Sequence, residues 1–198
     1  PTGHYMPSEP RLCEMQRGRI VALFWMTDHR AGKNLMNHVT VSHDGGETWS
    51  INPVDANEWE RNESSWVELP DGELLCVMRS NYECYLGVSR SRDMGKSWSR
   101  VRPSIPFFNA SAPSLFLTRH NILILAVRNW GLFTSVDNGH GWSLPTQIGT
   151  YTGGGWGAQM RELPDGRIFV GGPERPGNSQ LITVDRQGVV HPAPTPQN

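Results

Sequence analysis

The sequence predicts an all-β fold, a β-propeller of four-stranded antiparallel blades, on three observations. A tryptophan-bearing turn recurs at a fixed period, a strand–turn–strand pattern precedes each copy, and no segment sustains a helical period. The recurrent turn reads SHDGGETWS at residues 42–50, SRDMGKSWS at 91–99 and SVDNGHGWS at 135–143. Each copy keeps Ser-x-Asp, then Gly, then Trp at the same offsets, and TVDRQG at 183–188 reads as a weaker fourth copy without the tryptophan. The copies lie roughly 45 to 50 residues apart, a range in which a period signals propellers, solenoids or arrays.

Taken in order, each unit opens with a hairpin. The four hairpins read RLCEMQRGRIVALFW, SWVELPDGELLCVMR, PSLFLTRHNILILAVR and AQMRELPDGRIFVGG. LPDG, at 69–72 and again at 163–166, supplies a tight turn in which proline presets one dihedral and glycine accepts a positive φ. A third strand follows, as in HVTVS, LGVSR and LFTSV, then the tryptophan turn, then a loosely patterned fourth segment. Four antiparallel strands in a unit of this length make a propeller blade, and blades are expected at about 8–50, 60–99, 107–143 and 151–190 of a single domain.

Composition narrows the function. The 198 residues suffice for one well-buried domain. With 19% charged residues and a formal net charge of −1, nothing electrostatic points to a nucleic acid or an anionic membrane surface as partner. No hydrophobic run approaches the roughly 18 to 20 residues that span a bilayer. PTGHYMPSEP at the N-terminus is not a signal peptide. The chain starts mid-pattern without a methionine, which leaves room for a removed leader or upstream repeats and leaves the compartment open, a secreted or periplasmic one being favoured. Cys13, Cys76 and Cys84 have no metal-ligand spacing, and their odd number argues against a complete disulfide framework. Sequons begin at Asn62 (NES) and Asn109 (NAS) and would carry glycans only in a eukaryotic secretory pathway.

Chain direction separates two rims. If strand one starts at an upper rim, strand two returns to it, and the tryptophan turn after strand three lies at the lower rim. There the Asp accepts backbone N–H groups, the Gly takes a sterically demanding corner and the Trp packs into the blade, so Asp44, Asp93 and Asp137 are architectural. The upper rim is where a ligand is expected. Aligning the units by their turns puts Glu9, Glu63, Ala112 and Gly157 in one column there, and Trp25, Arg79, Arg128 and Pro173 in another. In the second unit the hairpin brings Glu63 beside Arg79. Two readings stand: a structural ion pair, or part of a site.

The turn Ser-x-Asp-x-Gly-x-Thr-Trp resembles the Asp-box, or BNR repeat, of the sialidase (neuraminidase) superfamily, with Ser97 and Gly141 replacing the Thr in the second and third copies. Likewise ESSWVELPDGELLCVMR looks like the sialidase segment in which a glutamate opens one strand and an arginine closes the next. The resemblance implies that Glu63 is the base of a nucleophilic tyrosine and Arg79 one of three arginines binding a sialic acid carboxylate. A guanidinium binds a carboxylate bidentately, and a carboxylate can activate a phenol. Arg128 occupies the same column one unit later and is a candidate for another member of the cluster. The loop MTDHRAGKN at 26–34 offers Asp28, His29 and Arg30, and the family's acid/base aspartate comes from such a loop.

The departures are specific. Where the family carries its tyrosine, often in Gly-Tyr-Ser, this chain reads GGGWGAQM with Trp156, and Tyr151 is the nearby phenol. The Arg-Ile-Pro motif of the first arginine is absent, EPRLCEM being a loose echo with Arg11 in the wrong column. Four units also fall short of the six blades of a sialidase, so an incomplete propeller would be prone to self-association through its open edge. The resemblance implies a retaining hydrolase of a terminal sialoside or related acidic sugar, needing no metal or other cofactor. The competing readings are a non-catalytic propeller binding a glycan or protein through Trp25, Trp130 and Trp156, and a purely structural repeat domain.

Overall fold

The structure, a computed structural model, describes residues 5–15, 19–28, 33–54, 61–80, 85–105, 111–128, 131–147, 158–171 and 179–193. All the regular structure in these residues is β. β1 (Tyr5–Glu14), β2 (Ile20–Asp28), β3 (Lys33–Ser42) and β4 (Ser50–Pro53) form one antiparallel sheet in that order. β5 (Arg61–Glu68), β6 (Leu74–Ser80), β7 (Leu86–Ser91) and β8 (Arg102–Ile105) form the second. The third joins β9 (Ser111–Leu117), β10 (Leu123–Arg128) and β11 (Gly131–Ser135), and a single bridge from Leu132 to Thr146 stands where its fourth strand would run. β12 (Gln159–Glu162), β13 (Ile168–Gly171), β14 (Gln180–Val184) and β15 (Val190–Pro192) make the fourth. Each sheet is an antiparallel meander of sequence neighbours, the blade of a β-propeller.

The chain divides into two compact units, Pro1–Asn109 and Ala110–Asn198. In the first, Val21, Val39 and Val41 of one blade share a core with Trp66, Leu74, Cys76 and Met78 of the next. β6 is covered on both faces: Leu74 through Met78 are fully buried, which is why its sequence, LLCVM, runs apolar without alternation. Each such large side chain contributes about 1.5–3 kcal/mol by leaving water. Burial also pushes the Cys76 thiol far up, so it stays protonated and inert. In the second unit Ile124, Ala126 and Leu132 meet Ile168, Val170 and Ile182 in the same manner.

The first hairpins of the second, third and fourth blades turn as their residues dictate. Leu69 N–H donates to Glu73 O at 2.8 Å and Gly72 N–H to Leu69 O at 2.9 Å, with Gly72 at φ +85°. Leu163–Arg167 repeats this with Gly166 at φ +86°, and Thr118–Ile122 does so with Asn121 at φ +61°, asparagine being the non-glycine residue that best tolerates that region.

The three Asp-boxes are turns of one construction. Ser42, Ser91 and Ser135 donate through Oγ to the Asp two residues on at 2.8, 2.8 and 2.7 Å, and each Oγ accepts the N–H of Gly46, Gly95 or Gly139 at 2.8 Å. Thr48, Ser97 and Gly141 each donate N–H to the Asp Oδ1 at 2.9 Å. These donors set the acidity. The Thr48 hydroxyl and N–H hold Asp44 well below the usual carboxylate range, and Ser97 holds Asp93 down to about 2. Burial works against Asp137, yet the N–H of Gly141 and the Ser135 hydroxyl keep it lowered as well.

Two box features depart from the sequence reading. Trp98 packs on the core of the first unit, and a Cβ on Gly95 would lie 3.2 and 3.3 Å from methyls of Val39 and Val41, so the second box rests on the preceding sheet. Trp49 is 42% exposed instead of packed. Nor is TVDRQG an Asp-box. Its Gly lies five residues after Thr183 rather than four, and Asp185–Val189 closes as a tight hairpin turn with Gly188 at φ +83°.

Candidate functional site

Register fixes which end of each blade is which. The box serines Ser42, Ser91 and Ser135 pair with the first residues of their second strands, Ile20, Leu74 and Leu123. Arg79 lies five residues further along β6, about 17 Å from the box end at the usual strand rise. The segments that join strands at the other end, 29–32, 55–60, 81–84, 106–110, 129–130, 148–157 and 172–178, lie outside the described residues, as do residues 1–4.

At that far end the first hairpin of three blades carries the same irregularity. Pairing runs from Asn62↔Arg79 to Ser64↔Met78 in the second sheet, leaving Glu63 as an extra residue on β5. In the first sheet it runs from Ser8↔Trp25 to Arg11↔Leu23, and in the third from Ser111↔Arg128 to Ser114↔Ala126, again with one extra residue on the first strand. A bulge re-aims the side chain it carries, and bulges gather at rims and beside active sites. In the second sheet the result is an ion pair: Arg79 Nη1 donates to Glu63 Oε2 at 2.9 Å. Glu63 is buried, whereas the Arg79 side chain is 25% exposed. This ion pair occupies one nitrogen of the guanidinium, and among the described residues Nε and Nη2 have no partner. Two donors in a planar fork are thus left at the rim, the geometry that accepts a second carboxylate.

The other sequence candidates are placed less completely. Trp25 pairs with Ser8, Asp28 with Tyr5 and Lys33, and Arg128 with Ser111, so all three backbones lie at the same end of their blades as Arg79. Arg30, Tyr151 and Trp156 lie outside the described residues, as do His29 and Trp130. Sequence reasoning looked for a phenol near Trp156 and missed two others. Tyr5 stands in register with Asp28, and Tyr85 immediately precedes β7 at the end where Gly87 pairs with Met78, next to Arg79 along β6. Counting strand direction for every tyrosine would have exposed both.

Other charged clusters belong to the scaffold. At the box end Glu73 is buried between Arg90 at 2.7 Å and Arg92 at 2.9 Å; burial alone would raise it, but the two guanidiniums hold it below the usual range. Among the described residues no group of three or more His, Cys, Asp or Glu side chains is arranged to hold a metal ion. Nor is any helix there long and apolar enough to cross a membrane.

Known proteins agree with this architecture. No curated protein sequence matches the chain. A sialidase described as the Hadza microbial sialidase Hz136 superposes with a TM-score of 0.68 at 16% identity, over 93% of this chain and 45% of the other. A protein of unknown function from Dyadobacter fermentans DSM 18053 gives 0.63 at 22% identity, over 91% and 50%. The GH93 α-L-arabinofuranosidase of Fusarium graminearum gives 0.62 at 20% identity, over 97% and 68%. The likeness is one of fold, and the chain spans about half the length of the first two proteins. The family described as "BNR repeat-like domain" matches residues 6–126, more than half the sequence, and the chain belongs to it.

Proposed function

We propose that the chain carries part of the site of a sialidase-like glycoside hydrolase, acting with retention on terminal sialic acid or a related acidic sugar. The observation that carries the reading is the Glu63–Arg79 pair on its bulge, at the end of the blade away from the Asp-boxes. Arg79 takes the sugar carboxylate on its remaining fork while Glu63 serves as the base for a phenol, with Tyr151, Tyr5 and Tyr85 as the candidates. Asp28 is the acid/base candidate of the first blade. In this reading, which here follows the family resemblance, Arg128 and Arg30 are the further candidates for the carboxylate, and Trp25 and Trp156 the candidates for stacking on a sugar. A tryptophan at the family's tyrosine position favours the alternative of a propeller that binds such a glycan without cleaving it.

Release of 4-methylumbelliferone from its sialoside tests the assignment. The chain alone is expected to show little or none, because groups that act as a unit fail together and the nucleophile and first arginine have no secure counterpart here. Turnover abolished by Glu63→Gln would support the role of Glu63 and correct the expectation of inactivity. Turnover indifferent to Glu63→Gln would overturn the sialidase reading.

A further inference from the structure

We propose that a polar hollow at the Asp-box end of the second unit binds the anionic end of an acidic saccharide, independently of the Glu63–Arg79 rim. The hollow encloses about 380 Å³ and is lined by His120, Asn121, Ile122, Val136, Asn138 and Arg186. Three turns supply these residues: the β9–β10 hairpin, the third Asp-box and the β14–β15 hairpin. The turns are fixed in place. Asn121 and Asn138 hold left-handed backbones at φ +61° and +58°, and Thr134 Oγ1 donates to Gly188 O at 2.6 Å, which ties the turn bearing Arg186 to the third sheet.

The charge in the hollow is unbalanced. Arg79, Arg90, Arg92, Arg119 and Arg167 are each ion-paired, whereas Arg186 has no such partner among the described residues. Among the described residues no carboxylate lines the space. The acid next to Arg186 in sequence, Asp185, is engaged by the N–H groups of Gln187 and Val189 and by His191. An uncompensated guanidinium beside an imidazole and two amides, in a concavity of ligand size, suits a carboxylate with polar substituents around it.

A bare anion would fill only part of the available space. Val136, 58% exposed, also lines an adjoining hollow of about 300 Å³ bounded by Trp142, Ser143 and Gln187. The amides of Asn121, Asn138 and Gln187 both donate and accept, as vicinal hydroxyls require, and Val136 with the Trp142 ring offers a surface for the apolar face of a pyranose. Asp137 borders this second hollow and keeps the negative group on the Arg186 side.

The test is a titration of the full chain with glucuronic acid, glucose and inorganic sulfate at constant ionic strength, read from the ring-proton resonances of His120, assigned with His120→Gln. Glucuronic acid should shift these resonances saturably, and Arg186→Ala should weaken it about 10-fold or more, the effect of losing a charged hydrogen bond. Glucose and sulfate should each bind at least about 10-fold more weakly, lacking the charge or the ring. His120 signals unmoved by glucuronic acid, or an affinity unchanged in Arg186→Ala, would overturn the proposal. Sulfate binding as tightly as glucuronic acid would reduce the site to an anion trap, and equal glucose binding would remove the role of Arg186; either result also overturns it.

Discussion

Replacing Gly95 with alanine should destabilise the protein more than the same change at Gly46, although both glycines hold the same place in their boxes. Each carries a positive φ, +81° at Gly95 and +100° at Gly46, so each alanine pays a left-handed penalty of about 1–2 kcal/mol. A stiffer unfolded chain returns about 0.4–1 kcal/mol of that in both cases. The difference lies in what the new methyl meets. At Gly46 the nearest atoms, on Ile20 and Trp49, are 3.8 Å away, which is ordinary contact. At Gly95 methyls of Val39 and Val41 stand at 3.2 and 3.3 Å, on a strand whose β-branched side chains have little freedom to move. Overpacking of that kind costs about 1–3 kcal/mol. Urea titrations of both variants should therefore show Gly95→Ala shifting the midpoint further, with m unchanged. Equal shifts would refute the claim that the second box is packed on the preceding sheet.

The same packing predicts that Trp98→Ala costs about 2–4 kcal/mol and the half-exposed Trp49→Ala about 1–2, scaled from the loss on truncating a buried tryptophan; melting temperatures check this, and equal losses would contradict it. Acid should act through the boxes. Asp93 is lowered to about 2, and a carboxylate lowered on folding contributes stability that is complete above its unfolded value near ~3.9 and lost as pH falls through the folded one. Urea midpoints should therefore drop between about pH 4 and 2, less steeply in Asp93→Asn, and parallel profiles would show that the box does not carry the effect. At the same end, Glu73→Gln should lower stability at pH 7 by leaving Arg90 without its buried partner, whereas Arg92→Ala, removing an exposed partner, should change it little.

Much of the fold was legible because its turns are chemically explicit. LPDG must turn where it does, and a serine, an aspartate and a glycine at fixed offsets build one hydrogen-bonded loop three times over. The fourth copy misled because Thr183 and Asp185 match the box while Gly188 sits one residue late, and that single residue converts a box into a tight hairpin. Column alignment brought Glu63 and Arg79 together correctly, yet the bulge that carries Glu63 left no mark. An extra residue within a strand alters neither the period nor the hydrophobic pattern enough to be seen. Trp49 was read as packed because the sequence of a box says nothing about which sheet lies under it. Tyr5 and Tyr85 were passed over for a related reason: rim position depends on strand direction, which spacing to the nearest motif does not reveal.

The central claim is that Arg79, positioned beside Glu63 at the end opposite the Asp-boxes, receives the carboxylate of an acidic sugar. Calorimetric titration of N-acetylneuraminic acid into the wild-type chain, Arg79→Lys and Arg79→Ala tests it most directly. Lysine keeps the charge and loses the fork, so binding should weaken in the order wild type, lysine, alanine, with the alanine variant down about 10- to 100-fold. Equal affinity in all three forms would remove Arg79 from the site and contradict the account.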